Sequence, residues 1–124
     1  MNYEWFENYC LAKEGAIKDF KEEWQWHRYL VGGKMFAVEA EDEKHGKFIT
    51  LKCEPLKGQF LREQYEKIIP GYYMNKVHWN TIIRESDVPD DVIRQMVDES
   101  YHLVFHSLTK KVQKEITEGH ISNK

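Results

Sequence analysis

Cysteine, proline and glycine are scarce in this chain of 124 residues, which holds 2, 3 and 7 of them. Cys10 and Cys53 stand far apart and form no C-x-x-C pair. That excludes a zinc knuckle or a thioredoxin-type redox centre and leaves buried, reduced thiols as the expectation. No repeat, low-complexity tract or glycine-rich linker interrupts the chain, so one continuous domain is expected over residues 1–116, with 117–124 as a flexible tail. A chain this long buries roughly two-thirds of its unfolded surface and needs no disulfide or metal for stability. Long apolar runs are missing as well. The mean hydropathy is -0.72, and stretches such as Met35 to Val38 fall far short of the ~18 residues that a bilayer-spanning helix demands. The opening Met-Asn-Tyr-Glu-Trp carries acid rather than base and leads into no apolar stretch. No presequence and a cytoplasmic location are therefore expected.

Charge is present but unevenly spread around a net -3. Lys44 to Arg84 holds 8 basic and 3 acidic groups, a local +5. Glu85 to Glu99 holds 1 and 6, and Met1 to Glu43 holds 5 and 10, each a local -5. A basic middle between acidic flanks argues against indiscriminate coating of nucleic acid and leaves room for a local polyanion contact.

The periodicities predict an α+β domain. Asn2 can cap a first helix of about three turns carrying Trp5, Phe6, Tyr9 and Cys10, with Gly15 as its left-handed stop. Ala16 to Gln25 fits neither period and reads as a short strand and a loop. Trp26–Val31 and Lys34–Ala40 flank Gly32-Gly33, the signature of a hairpin with a two-residue type I′ turn. After a polar turn over Asp42–Lys47, Phe48–Cys53 alternates with Ile49, Leu51 and Cys53 on one face. Pro55 can open a second helix whose apolar residues are Leu56, Phe60 and Leu61, and Pro70-Gly71 breaks the chain. Trp79–Ile83 reads as a strand. A long helix follows, with Val92, Ile93, Met96, Val97, Tyr101, Val104, Phe105 and Leu108 as its stripe. The helices should pack on one face of the antiparallel sheet and leave the other open to solvent.

Three stretches are distinctive in order and spacing: Val31-Gly32-Gly33-Lys34-Met35-Phe36-Ala37, then Leu51-Lys52-Cys53-Glu54-Pro55, then Pro70 through Thr81. Together they resemble the MmcQ/YjbR family over most of the chain. The resemblance implies a CyaY-like (frataxin-like) arrangement, often described as a double wing, and a predicted DNA-binding activity. The chain departs from that family between Asp19 and Gln25, where a Pro-Phe-Gly-like turn is replaced by Phe20-Lys21-Glu22-Glu23.

The residues themselves suit that chemistry in one region. Tyr72, Tyr73, Asn75, Lys76, His78 and Trp79 interleave rings, an amide and a cation, so that rings can stack on bases and lysine can meet phosphate. Lys34, Lys52 and Arg62 could extend a positive stripe. The competing account is structural, with Tyr72 and Trp79 as core and Asn75 closing a turn. The expectation is weak binding of duplex DNA by a monomer, with Lys34 and Lys76 on phosphate, Asn75 and His78 on sugar or base edges, and Tyr73 or Trp79 against the backbone.

Catalysis has no positive signal, since G-x-S-x-G, H-E-x-x-H, G-x-x-x-x-G-K and G-x-G-x-x-G are all absent. No enzyme activity and no cofactor are expected. His102 and His106 stand at i, i+4 without a companion ligand, so no metal site is expected there. Iron handling by acids such as Glu4, Glu7 and Glu14, or Glu39, Glu41, Asp42 and Glu43, rests on frataxin-like analogy. The principal alternative is a protein-interaction adaptor docking a partner near Trp26, His78 and Trp79.

Overall fold

Gly32 and Gly33 take φ values of 57° and 81°, the pair of left-handed positions that a type I′ turn requires. They join β2 (Trp26–Val31) to β3 (Lys34–Asp42) as the hairpin pattern predicts. The computed structural model describes residues 3–71 and 74–119. Around that hairpin β1 (Ile17–Lys21), β4 (Gly46–Lys52), β5 (Ile68–Pro70) and β6 (Trp79–Ile83) complete a six-stranded antiparallel sheet in the order β1-β2-β3-β4-β6-β5. The helices are α1 (Phe6–Leu11), α2 (Pro55–Gln64), α3 (Asp90–Ser107) and α4 (Lys110–Thr117). This is the α+β architecture that the periodicities predict.

Register sorts the side chains. Tyr29, Ala37, Leu51 and Asn80 lie side by side across four strands, as do His27, Glu39, Ile49 and Ile82 one step along. These rows share the face on which α3 packs, and the α3 stripe of Ile93, Met96, Val97, Tyr101 and Val104 is buried against it. Each fully buried aliphatic side chain there contributes roughly 1.5–3 kcal/mol. Phe6 of α1 meets Tyr29 edge-on at 5.7 Å, closing the same layer.

Two of the predicted helices need correction. The first helix is shorter than three turns, running only Phe6–Leu11, and Asn2 lies outside the described residues. The second helix turns Leu56 and Phe60 to solvent, 82% and 57% exposed. Its buried residue is Gly58, where a Cβ would stand 2.6 Å from Cys53 Sγ and 3.1 Å from Asn80 Nδ2. Close approach of the helix backbone, with Leu61 beside it, docks α2 in place of the leucine and phenylalanine. The short β5 and the terminal α4 are additions to the elements that the periodicities predict. Thr109 caps α4 by accepting the Val112 N–H at 3.2 Å.

The sheet face away from the helices is also less open than expected. Val38, Phe48, Thr50 and Thr81 project there and are buried, with the two threonine hydroxyls 2.9 Å apart. Met74 comes to this side, lining a groove shared with Trp26, Met35 and Phe48.

A Cβ on Gly32 would stand 2.6 Å from Leu108 Cδ1, whereas Gly33 faces open space. Gly32→Ala should therefore destabilise the domain by about 2–4 kcal/mol and Gly33→Ala by about 1–2 kcal/mol. Urea midpoints measure both, and equal losses would deny the Leu108 contact any part. Alkali offers a second check. Burial pushes the Tyr9 and Tyr101 hydroxyls up to about 12 from an ordinary 10.0. Their stabilisation is complete below about pH 10, where the unfolded tyrosines begin to ionise, and is lost as the pH climbs toward the folded values. Thermal unfolding of a Tyr9→Phe, Tyr101→Phe variant should show a shallower alkaline decline than the parent chain.

Candidate functional site

Antiparallel pairing gathers the start of β3, the end of β4 and the start of β6 at one end of the sheet. Lys52 pairs with Trp79, the Cys53 N–H donates to the His78 carbonyl at 2.8 Å, and Lys34 opens β3 at the hairpin tip. Lys34, Lys52, Asn75, Lys76, His78 and Trp79 thus come to the same end. Lys34, Asn75, Lys76 and His78 are exposed, while Lys52 and Trp79 are half-buried. Among the described residues none of the three lysines forms an ion pair with a carboxylate. Glu54 also stands at this end, and Glu99 is held by Lys57 at 2.9 Å.

The loop before β6 is shaped by Asn75. Its Oδ1 accepts the N–H groups of Val77 and His78 at 2.9 and 3.2 Å, an Asx turn that stands Lys76 at the apex. Lys76 Nζ leans back on the Gly71 carbonyl at 3.3 Å. Trp79 is packed by Gly71, whose N–H donates to the Trp79 carbonyl at 2.7 Å and whose missing Cβ leaves room for the tryptophan. Asn75 and Trp79 therefore hold structural positions within the candidate surface, as the structural account of these residues expects. Tyr73, the remaining candidate, lies outside the described residues.

Arg62 stands apart from this group. Its Nη1 donates to Asn80 Oδ1 at 2.6 Å, and Asn80 Nδ2 reaches the Gly58 carbonyl at 3.3 Å. Asn80 is fully buried on the helix side of the sheet, so Arg62 satisfies an amide that water cannot reach. Nothing in the local pattern of α2 signals this, because the partner lies 18 residues away.

The opposite end of the sheet is acidic. The β1–β2 turn carries Glu22 and Glu23, the end of β3 and the following turn carry Glu41, Asp42 and Glu43, and Glu85 follows β6; Lys21, Lys44 and Lys47 offset part of this. Three of the seven acids of the iron reading are already engaged. Glu7 pairs with Lys18 at 3.0 Å. Glu39 accepts from Tyr29 and from Arg84 Nη1, the latter at 2.5 Å. Asp42 Oδ1 accepts the His45 N–H at 2.6 Å. Among the described residues no three histidine, cysteine or acidic side chains gather to hold a metal ion. The exposed His102 and His106 rings lie stacked 5.7 Å apart. Burial pushes the Cys53 thiol up to about 11 and Cys10 higher still, so neither is a thiolate at neutral pH.

Trp24, outside the candidates that the sequence offers, stands at the acidic end beside Trp26, which the adaptor reading includes. Trp24 and Trp26 flank Gln25 in the segment whose period is ambiguous, and their rings stand 4.9 Å apart. Two tryptophans straddling a turn were the available signal.

The family model described as YjbR matches residues 11–103. Uncharacterized protein YjbR of Escherichia coli strain K12 is 31% identical over 106 residues, covering 86% of this chain and 89% of the relative. Uncharacterized protein YbdF of Escherichia coli O157:H7 is 33% identical over 91 residues, covering 73% of this chain and 74% of the relative. Among solved structures, Deinococcus radiodurans protein DR2400, with a DUF419 domain, superposes with a TM-score of 0.81 at 26% identity, covering 90% of this chain and 85% of that one. A Pseudomonas syringae protein, target PsR293, gives 0.73 at 26% identity, covering 84% and 99%.

Arg62→Met strands the buried Asn80 oxygen and should destabilise the domain by about 1–3 kcal/mol in chemical denaturation. An unchanged stability would mean that Asn80 finds another donor.

Proposed function

Because the chain belongs to the YjbR family, we propose that it is a non-catalytic DNA-binding protein that grips the phosphate backbone with the basic end of its sheet. One observation carries this reading. Lys34, Lys52 and Lys76, far apart in sequence, sit on neighbouring strands and their connection at a single sheet end, with no carboxylate paired to them among the described residues. Unpaired ammonium groups on a rigid edge contact successive phosphates and release counterions. His78, exposed beside Lys76, adds a polar contact to the same surface. The acidic far end repels the backbone, which limits contact to one edge and keeps binding weak.

A second reading has its own support. Leu56 and Phe60 lie one turn apart on α2 and remain exposed, an apolar stripe that a partner protein could cover. It becomes the preferred account if the nucleic-acid test fails.

With three phosphate contacts, raising salt from about 50 to 200 mM should weaken duplex binding roughly 40-fold. Lys76→Ala should weaken binding similarly on unrelated sequences and reduce the logarithmic salt slope by about 0.9. Fluorescence anisotropy with two unrelated duplexes measures both. Absence of binding at low salt would end the DNA reading, and a loss confined to one sequence would contradict the phosphate role.

A further inference from the structure

The two edges of the sheet are unlike. β5 is three residues long and ends in Pro70, which has no N–H to offer a neighbouring strand. β1 is five residues long and pairs with β2 in unbroken register, and among the described residues no strand lies on its other side. It holds no proline, glycine or bulge. Ile17 and Phe20 are each 47% exposed along it.

Alternation fixes which backbone groups lie open on that edge. The Lys21 carbonyl turns inward, where it accepts the Trp24 N–H at 3.1 Å in the β1–β2 turn. Lys18 and Phe20 therefore direct their N–H and C=O groups away from β2, a template for another strand. Charged side chains usually guard such an edge, and here their order decides what they exclude. The edge reads Lys18, Asp19, Phe20, Lys21, Glu22. Laid antiparallel on a second copy with Phe20 opposite Phe20, it sets Lys21 against Asp19 and Lys18 against Glu22, each twice by symmetry. Centring the pair on Asp19 would oppose two aspartates, and centring it on Lys18 would oppose two lysines. Local partners leave room for these contacts. Lys18 Nζ reaches Glu7 at 3.0 Å, Lys21 Nζ reaches Glu23 at 3.9 Å, and Arg28 Nη2 holds Asp19 at 2.6 Å. Each ammonium keeps further donors, and the carboxylate further acceptor positions. Glu22 is exposed and forms no ion pair among the described residues.

We propose that β1 pairs with β1 of a second copy, antiparallel about Phe20, joining two sheets into one continuous sheet. The Phe20 ring, 4.8 Å from that of His27, then meets its counterpart beside the two-fold axis. Because β1 is used up and β5 is blunted, association stops at two copies. One strand per copy makes a small interface, so dissociation on the order of 100 µM is expected. Below that concentration the chain is the monomer expected of the sequence. None of the residues at the lysine end belongs to this edge, and the pairing is independent of the DNA reading.

Sedimentation equilibrium of the full chain from about 10 µM to about 1 mM should show a monomer passing into a dimer. Glu22→Lys opposes two lysines and Lys18→Glu two carboxylates, and each should weaken association about tenfold. An equimolar mixture of the two variants restores opposite charges in one mixed dimer and should associate far more tightly than either variant alone. Should Lys18→Glu, which also faces Glu7, fail to fold, Glu22→Lys decides the matter. A monomer throughout, growth beyond two copies, or no recovery on mixing would overturn the proposal. A dimer that Glu22→Lys spares and Phe60→Ser abolishes would also overturn it, assigning the contact to α2.

Discussion

The Gly32-Gly33 turn and the bulge between Tyr29 and Leu30 set how β2 lies on β3, and through β3 how β4 and β6 follow. A slip of one residue would send Tyr29, Ile49 and Ile82 to the wrong face and expose the layer that α3 covers. The same slip would exchange Lys52 and Trp79 for their neighbours and scatter the lysine end. Core and candidate interface therefore depend on one alignment. Leu108 packs over Gly32, so the C-terminal end of α3 guards the turn on which that alignment rests.

Polar clamps tie the helical layer to this frame. Glu39 stands between Tyr29 and Arg84, and Arg84 Nη2 also holds the Tyr3 carbonyl at 3.1 Å, fastening the described N-terminal segment to the sheet. Asp98 accepts from Tyr9 and Lys13, joining α1 to α3. Ser100 works between layers, donating to the Phe36 carbonyl at 2.6 Å and accepting the Lys52 N–H at 2.9 Å. Lys52 thus owes the position of its backbone to a helix residue 48 positions away. These bonds matter because a buried polar group left without a partner costs about 1–3 kcal/mol.

Features set by neighbouring residues were legible in the sequence: the paired glycines of the hairpin, the 3.6-residue stripe of α3, the alternation in β6 and the Asn75 turn. Features set by distant partners were not. Leu56 and Phe60 have helical spacing, but Gly58 makes the contact because only a glycine lets the helix approach Cys53. Arg62 resembles any surface cation until Asn80 is placed beside it. The short β5 carries too few residues for a period to register. Cover over the second sheet face depends on where a connection returns, which no local pattern encodes. The basic middle of the chain was visible as composition, but pairing divides it: Lys52 and Lys76 come to one end of the sheet, Lys44 and Lys47 to the other, and Arg62 and Arg84 hold Asn80 and Glu39.

With Lys34, Lys52 and Lys76 beside Glu54 at one end of the sheet, and six acids against Lys21, Lys44 and Lys47 at the other, the sheet carries a charge asymmetry that the net charge of -3 conceals. In the field of a polyanion such a body experiences a torque before it experiences contact, and it arrives lysine edge first. Orientation is then selected during diffusion, with wrong-way encounters pushed apart instead of being sorted out on the surface.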